Sequence, residues 1–178
     1  MKDVLTARGL IIPGLNGSGP GHWQTLWQEK FCFTRVEQHN WETPDLEKWV
    51  ENLNRYITAE SESVLLVAHS LGSLTVAYWA KAYPQSKNCI HHALLVAPPD
   101  VERSPYIPED LRRFASHDPL PFPTTLIGSE NDPYMAKKMA QMLARDWGSC
   151  FINAGPAGHI NLNSDTARGR KAKHCFSI

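Results

Sequence analysis

The sequence has few cysteines and no net charge, and each shortage excludes a class of protein. Its four cysteines, Cys32, Cys89, Cys150 and Cys175, are widely spaced and form no Cys-x-x-Cys pair. That pattern indicates reduced thiols in a cytoplasmic protein, and neither a disulfide framework nor a zinc site. The 18 Lys and Arg residues balance 18 Asp and Glu residues. Bulk charge therefore points neither to nucleic acid nor to an anionic membrane.

The chain also lacks a long apolar run at its start, internal repeats and flexible linkers. Its first segment, MKDVLTARGLIIPG, holds a short apolar run that charge and then Pro-Gly interrupt. Such a run is too short for a signal-peptide core or a membrane span. No Pro-, Gly- or Ser-rich segment divides the 178 residues. We therefore expect a single domain over residues 1–165 with a hydrophobic core of its own.

What the sequence does contain is an alternation of short apolar runs with segments of helical periodicity. Several runs are rich in Val, Ile and Leu without polar alternation, which is typical of strands buried on both faces of a parallel sheet. The runs cover residues 9–14, 33–38, 63–69, 92–98, 124–129 and 149–155. This order predicts a doubly wound, mostly parallel α/β sheet of about six strands with helices on both faces. Ligands are expected at the carboxyl ends of its strands.

Three helices are predicted between these runs. Apolar residues of segment 46–57 recur at helical spacing after Thr43-Pro44, which should supply the cap and first turn. Segment 71–83 is apolar nearly all round, so a buried helix is expected there. Segment 133–147 opens with a proline and carries methionines on one side, which we interpret as core filler.

A serine lies where the third run turns into the helix that follows it. The stretch Ala68–Gly72, AHSLG, is a near match to the G-x-S-x-G nucleophile elbow. A turn from strand to helix within two residues strains the backbone of Ser70, and small neighbours prevent clashes there. The free N–H groups of the helix N-terminus favour negative charge beside it. The alternative role for Ser70 is a simple helix N-cap.

A serine hydroxyl needs a base, and the base needs an orienting acid. This fold predicts the chain order Ser, acid, His, with each residue on the loop after a later strand. Asp132 follows the fifth apolar run and His159 follows the sixth. Glu130 and Asp100 are alternative acids, and Asp132 also suits a helix N-cap.

The other histidines fit the role of base less well. His69 is expected to point away from Ser70, because neighbouring residues of a strand face opposite sides. His91 and His92 enter a strand at its amino end, on the wrong edge of the sheet. His22 lies near the first loop and is the only rival base, although a pocket or structural role suits it better.

The glycine-rich loop PGLNGSGPGHW follows the first predicted strand. We expect one oxyanion donor from the Leu71 N–H and a second from the Leu15 N–H of this loop, with Asn16 as the fallback. Nucleotide binding is the weaker interpretation, because the loop matches neither G-x-G-x-x-G nor a P-loop ending. The expected substrate pocket is lined by Asn16, His22, Trp23, Pro99 and Tyr134.

These stretches together resemble a known group of proteins. The matching segments are IIPGLNGSGPGHWQTLW, VLLVAHSLGSLTVAYWA, LLVAPPDVE, SENDPY and GHIN. They are similar to segments of the small serine hydrolases grouped with retinoblastoma-binding protein nine and its bacterial relatives, within the α/β-hydrolase superfamily. The resemblance implies a minimal hydrolase fold without a lid domain, and a Ser–Asp–His triad carried onto Ser70, Asp132 and His159. Members are described as serine hydrolases or esterases.

The C-terminal segment departs from that resemblance. Relatives continue into a Gly-Leu-Gly and Trp-Pro segment and a final apolar helix, whereas residues 166–178 read TARGRKAKHCFSI. This stretch is basic and non-amphipathic, and its four basic residues are few for a nucleic-acid arm. We expect a loosely ordered tail that lacks the final helix, as after a frameshift.

The sequence therefore predicts a cytoplasmic serine hydrolase that acts as a carboxylesterase on small esters or thioesters through an acyl-enzyme intermediate. No metal or organic cofactor is expected, and neither nucleic acid nor a membrane is an expected partner. Nothing indicates a protein partner. One alternative is a non-catalytic hydrolase-fold module that binds another protein. The other is an amidase or peptidase with the same three residues.

Overall fold

The computed structural model describes residues 8–162, apart from the side chains of residues 86 and 87, and shows one six-stranded sheet. Every neighbouring pair of strands is parallel, in the order β2-β1-β3-β4-β5-β6. The strands are β1 Gly9–Ile12, β2 Thr34–Arg35, β3 Val64–His69, β4 Ile90–Val96, β5 Thr124–Gly128 and β6 Cys150–Asn153. Five of the six predicted runs contain one of them, and β4 overlaps the fourth run but begins two residues before it, so the predicted fold class is confirmed.

Four α-helices lie in the described part of the chain. They are α1 Trp23–Phe31, α2 Leu46–Thr58, α3 Leu71–Ala82 and α4 Lys137–Trp147, with short 3-10 turns at Leu15–Gly17, Pro84–Cys89 and Glu109–Phe114. α2 and α3 match their predicted segments closely. α1 was not predicted, because nine residues directly after a glycine-rich loop give a weak periodic signal.

Two predicted helix starts are wrong. The N-cap of α2 is Asp45, whose Oδ1 accepts the Lys48 N–H at 3.1 Å, so Thr43-Pro44 lies outside the helix. α4 begins at Lys137 and not at the proline after Asp132. The carboxylate of Asp132 instead accepts the Tyr134 N–H at 2.9 Å, which closes a local turn before the helix can start.

The two faces of the sheet bury separate hydrophobic cores, because side chains alternate along each strand. In β1, Leu10 and Ile12 join the larger core under α2, α3 and α4, whereas Ile11 joins the smaller core. Trp23 of α1 and Ile160 of the loop after β6 pack into that smaller core. Helices therefore cover both faces, as predicted.

The helices over the larger core bury different amounts of apolar surface. α3 is buried along nearly its whole length, which confirms the buried helix predicted there. The methionine stripe is only partly core filler. Met135 is buried and Met139 packs against the core, but 41% of Met142 is exposed.

The sheet order places the carboxyl end of β3 at the centre of the fold. The chain passes from β1 outward to β2 and then returns to the other side of β1 for β3, so the topological switch lies between β1 and β3. In open α/β sheets, the crevice at such a switch is where ligands bind. The register pairs Ile12 with Ala68 and His69 with Val96, which brings the loops after β1, β3 and β4 together at one edge.

No helix within residues 8–162 is both long enough and apolar enough to cross a bilayer. The expected tail, residues 166–178, and the expected domain end at residue 165 lie outside the described residues.

Candidate active site

Ser70 lies at the turn between β3 and α3 in a strained backbone conformation, with φ 52° and ψ −126°. A positive φ costs a non-glycine residue about 1–3 kcal/mol and persists only where the surroundings impose it. The Ser70 N–H donates to the Val96 carbonyl, and the Ser70 carbonyl accepts the Ser73 N–H, both at 2.9 Å. The Ser70 side chain makes no capping hydrogen bond to α3. The N-cap alternative therefore does not describe this serine.

Two glycines allow the loop after β1 to approach this turn. A Cβ atom on Gly72 would collide with the carbonyl oxygen of Ile12 and would lie 2.7 Å from that of Pro13. A Cβ atom on Gly14 would lie only 2.8 Å from the Cβ of Ser70. The sequence motif predicted the need for Gly72. The contact of Gly14 is a tertiary feature that no local pattern reveals.

The structure brings Ser70, His159 and Asp132 together in one chain of hydrogen bonds. His159 Nε2 lies 2.9 Å from Ser70 Oγ, and His159 Nδ1 lies 2.9 and 3.1 Å from the two carboxylate oxygens of Asp132. The side chains of His159 and Asp132 are 9% and 2% exposed. A carboxylate can only accept, so Nδ1 donates to Asp132, and Nε2 is then free to accept the Ser70 O–H.

The two alternative acids are engaged elsewhere. Glu130 accepts hydrogen bonds from Lys137 Nζ at 2.7 Å and from Asn153 Nδ2 at 2.8 Å. Asp100 accepts the backbone N–H groups of the second and third residues after it. Within the described residues, Asp132 is the carboxylate that hydrogen-bonds to His159.

The loop that carries His159 is anchored to the loop after β5. Ser129 Oγ accepts the Ala157 N–H at 3.0 Å, and Asn131 Oδ1 accepts the Gly158 N–H at 2.7 Å. Sequence reasoning missed both anchors, although Ser129 and Asn131 belong to the segment SENDPY. Their polar side chains just after a buried strand are the signal that could have identified them.

A cavity of about 380 Å³ opens beside Ser70. Of the residues expected to line the substrate pocket, Asn16, His22, Pro99 and Tyr134 lie on the wall of this cavity. Trp23 does not, because its indole is buried and Nε1 donates to the Ile160 carbonyl at 2.9 Å. Half of the lining residues that were not predicted come from the segment between β4 and β5, namely Val101, Tyr106, Ile107, Pro108 and Leu111. Leu162, after β6, also lines the cavity.

The backbone donors expected near Ser70 are only partly free to act. The Asn16 N–H donates to the Trp41 carbonyl at 2.9 Å, which removes the fallback oxyanion donor. Leu71 is the first residue of α3, where N–H groups have no partner within the helix. Leu15 directly follows Gly14, where an added Cβ atom would lie only 3.0 Å from the backbone nitrogen of Leu71. Leu71 and Leu15 remain the expected pair.

Three histidine rings form a row beside the cavity. The centroid of His69 lies 4.9 Å from that of His22 and 5.0 Å from that of His159. Burial lowers the pKa of His22 to about 4, with smaller contributions from Arg35 and His159. Burial also lowers the pKa of His69. Both rings are therefore neutral near pH 7.

The neutral state of His22 predicts how stability depends on pH. The folded protein binds the proton only near pH 4, whereas the unfolded chain binds it near the usual 6.5. The contribution of His22 to the free energy of unfolding is therefore greatest above about pH 6.5 and declines as the pH falls towards 4. Between about pH 7.5 and about pH 5 the expected decline is about 2 kcal/mol. Urea unfolding at both pH values would measure it. His22→Asn keeps a side-chain acceptor for the capping hydrogen bond at the start of α1. Its free energy of unfolding should fall less on acidification than that of the wild type. An equal fall in both proteins would contradict the prediction.

The sheet order and the serine turn at its carboxyl edge are those of the α/β hydrolases, and solved structures support this class. A protein from Pectobacterium atrosepticum described as a YdeN-like hydrolase aligns with a TM-score of 0.82 and 29% identity, over 95% of this chain and 88% of the other. The ydeN gene product of B. subtilis aligns with a TM-score of 0.68 and 19% identity, over 88% and 89%. Mouse α/β hydrolase domain-containing protein 10 aligns with a TM-score of 0.66 and 16% identity, over 86% of this chain and 82% of the other.

The sequence assigns the family more narrowly. The model of the serine hydrolase family matches residues 9–175, and the chain belongs to that family. A search among curated proteins found no match.

Proposed function

We propose that this protein is a carboxylic ester hydrolase in which Ser70 is the nucleophile, His159 the general base and Asp132 the residue that orients the imidazole. The observation that carries the proposal is the unbroken chain of hydrogen bonds from Ser70 Oγ through the His159 ring to Asp132. A serine becomes nucleophilic when an adjacent base takes its proton as it attacks. A strained serine that bonds to a buried imidazole, and makes no cap, meets that requirement.

The reaction follows from these contacts. Ser70 Oγ attacks the ester carbonyl while its proton passes to His159 Nε2, and the imidazolium that forms is stabilised by Asp132. The Leu71 and Leu15 N–H groups hold the oxyanion. Collapse of the tetrahedral intermediate breaks the bond to the leaving alcohol, which takes the proton from Nε2. Water then cleaves the acyl-enzyme by the same steps and releases the carboxylic acid.

The lining of the cavity favours a small, uncharged substrate. None of the described residues that line it is Lys, Arg, Asp or Glu, and the lining His22 is neutral near pH 7. Three exposed apolar side chains border it, with 40% of Leu15, 69% of Tyr106 and 47% of Leu162 accessible. Exposed apolar surface around a cleft is typical of a ligand groove. An anionic acyl group would lose water there without gaining a partner.

Covalent labelling with a fluorophosphonate probe tests the proposal. We expect the wild type to be labelled on Ser70, and Ser70→Ala to remain unlabelled while folded. Ser73→Ala is the matched control, because it removes a nearby buried hydroxyl that lies 3.5 Å from the Val96 carbonyl and outside the hydrogen-bond chain. A folded wild type that resists the probe would favour a non-catalytic binding module.

The same preparation then tests the substrate class. Neutral short-chain p-nitrophenyl esters should be cleaved with a kcat/KM at least about tenfold above that for a p-nitrophenyl ester whose acyl group carries a carboxylate. Faster cleavage of the matching anilides would assign an amidase instead.

A further inference from the structure

Two consecutive carbonyl groups in the His159 loop each accept a hydrogen bond from a buried ring N–H. His69 Nε2 lies 2.9 Å from the carbonyl oxygen of His159, and Trp23 Nε1 lies 2.9 Å from that of Ile160. The two donors come from different elements, the carboxyl end of β3 and the start of α1. Both residues are buried, with 5% of His69 and 4% of Trp23 exposed.

The loop needs such restraint because its backbone is left-handed on both sides of His159, and at Ile160 that conformation is strained. Gly158 has φ 58° and Ile160 has φ 51°. Glycine adopts this left-handed region freely. For a β-branched residue such as Ile160 it is a genuine outlier, which persists only where the surroundings impose it. The loop would otherwise relax, and the direction of the imidazole would change with it.

The two donors also support each other and the imidazole. The rings of Trp23 and His69 meet edge to face, with centroids 5.9 Å apart and planes at 87°. The His69 ring lies 5.0 Å from the His159 ring as well. His69 thus contacts both the backbone and the side chain of His159. In this structure its ring is directed to the His159 loop, and the hydrogen-bond partner of the Ser70 hydroxyl is His159.

We propose that His69 and Trp23 are positioning residues, which clamp the carbonyls of residues 159 and 160 so that His159 Nε2 stays within hydrogen-bonding distance of Ser70. The inference rests on the proposed function, but it assigns a role that the triad by itself does not include. A displacement of about 1 Å at a reacting group lowers the rate by about 100-fold. Loss of either donor should therefore lower kcat far more than it raises KM.

We call the hydrogen bonds from His69 and Trp23 to the carbonyls of residues 159 and 160 the clamp. Substitutions that remove one of the two N–H donors at a time test it. His69→Leu and Trp23→Phe should each lower kcat for a p-nitrophenyl ester, and the rate of fluorophosphonate labelling, by about 10- to 100-fold with KM nearly unchanged. His69→Gln restores a side-chain N–H donor and should recover most of that loss. If His69→Leu fails to fold, the kcat values of Trp23→Phe and His69→Gln can still be compared with that of the wild type.

Trp147→Phe is the matched control for Trp23→Phe. The Trp147 indole is buried and its Nε1 donates to the Ser116 carbonyl at 2.8 Å, and neither residue lines the cavity beside Ser70. Both variants lose one indole-to-carbonyl hydrogen bond, so both should unfold at lower temperature, but only Trp23→Phe should lose kcat. Equal kcat values in Trp23→Phe, His69→Leu, Trp147→Phe and the wild type would overturn the clamp and leave the hydrolase assignment intact.

Proton NMR provides a readout that needs no turnover. The His159 Nδ1–H that donates to Asp132 should give a downfield resonance, assigned by its absence from Asp132→Asn. The resonance should be lost or broadened in His69→Leu and kept in Trp147→Phe. An unchanged resonance in His69→Leu would count against the clamp even if the wild type failed to hydrolyse any ester.

Discussion

Asp132→Asn should lower kcat for ester hydrolysis by about 10⁴-fold, on the scale that a wrong histidine tautomer costs a serine hydrolase. The Asp132 carboxylate accepts hydrogen bonds from two donors. The Tyr134 N–H donates to Oδ1, and the His159 Nδ1–H donates to both oxygens. An asparagine would keep its carbonyl oxygen towards the Tyr134 N–H and present its NH₂ group to His159. Nδ1 must then accept, so the ring proton moves to Nε2, which can no longer take the proton of Ser70.

The measurement is steady-state kinetics on a p-nitrophenyl ester, and the alternative acids provide the controls. Asp100→Asn and Glu130→Gln remove carboxylates that bond within their own turn or to Lys137 and Asn153. Both should stay within about threefold of the wild type. Near-normal kcat in Asp132→Asn, or a collapse in Glu130→Gln, would contradict the assigned acid.

Gly72→Ala should lower the free energy of unfolding by about 3 kcal/mol, at the upper end of what overpacking costs. The added Cβ would meet the Ile12 and Pro13 carbonyl oxygens, which belong to backbone and cannot rotate away. Relief would require β1 to move from β3, against the pairing of Ile12 with Ala68. The predicted sign opposes intrinsic propensity, because alanine in place of glycine normally stabilises a helix by about 1 kcal/mol.

Urea unfolding followed by tryptophan fluorescence would measure this loss. Gly19→Ala is the control, since a Cβ there would meet nothing within 4 Å. That variant should unfold within about 0.5 kcal/mol of the wild type. Equal stabilities for Gly72→Ala and the wild type would show that the two loops do not need the close approach seen here.

Features that depend on neighbours in the chain were predictable from residue order. Six apolar runs predicted six strands, and AHSLG predicted a serine at the turn after β3, because burial and steric constraints act on adjacent residues. The proximity of Ser70, Asp132 and His159 was also predictable, since the carboxyl ends of parallel strands meet at one edge of the sheet.

Helix starts were less predictable, because they depend on competing hydrogen bonds. Thr43-Pro44 and the proline after Asp132 both fit common capping patterns. In the structure, α2 is capped at Asp45. α4 begins only at Lys137, because the Asp132 carboxylate bonds to Tyr134 and to His159 and does not cap a helix. A side chain with a distant partner cannot be assigned from its local sequence alone.

Residue order alone was enough to predict six strands, the serine turn after β3 and the order of Ser70, Asp132 and His159 along the chain. Packing between distant segments places Trp23 against the His159 loop, whereas Tyr106 and Leu111 line the cavity. The same packing pairs the Asn16 N–H with the Trp41 carbonyl. These contacts could not be read from the sequence because strand and turn propensities act between adjacent residues, whereas the contacts join residues that meet only after the sheet and its loops have packed.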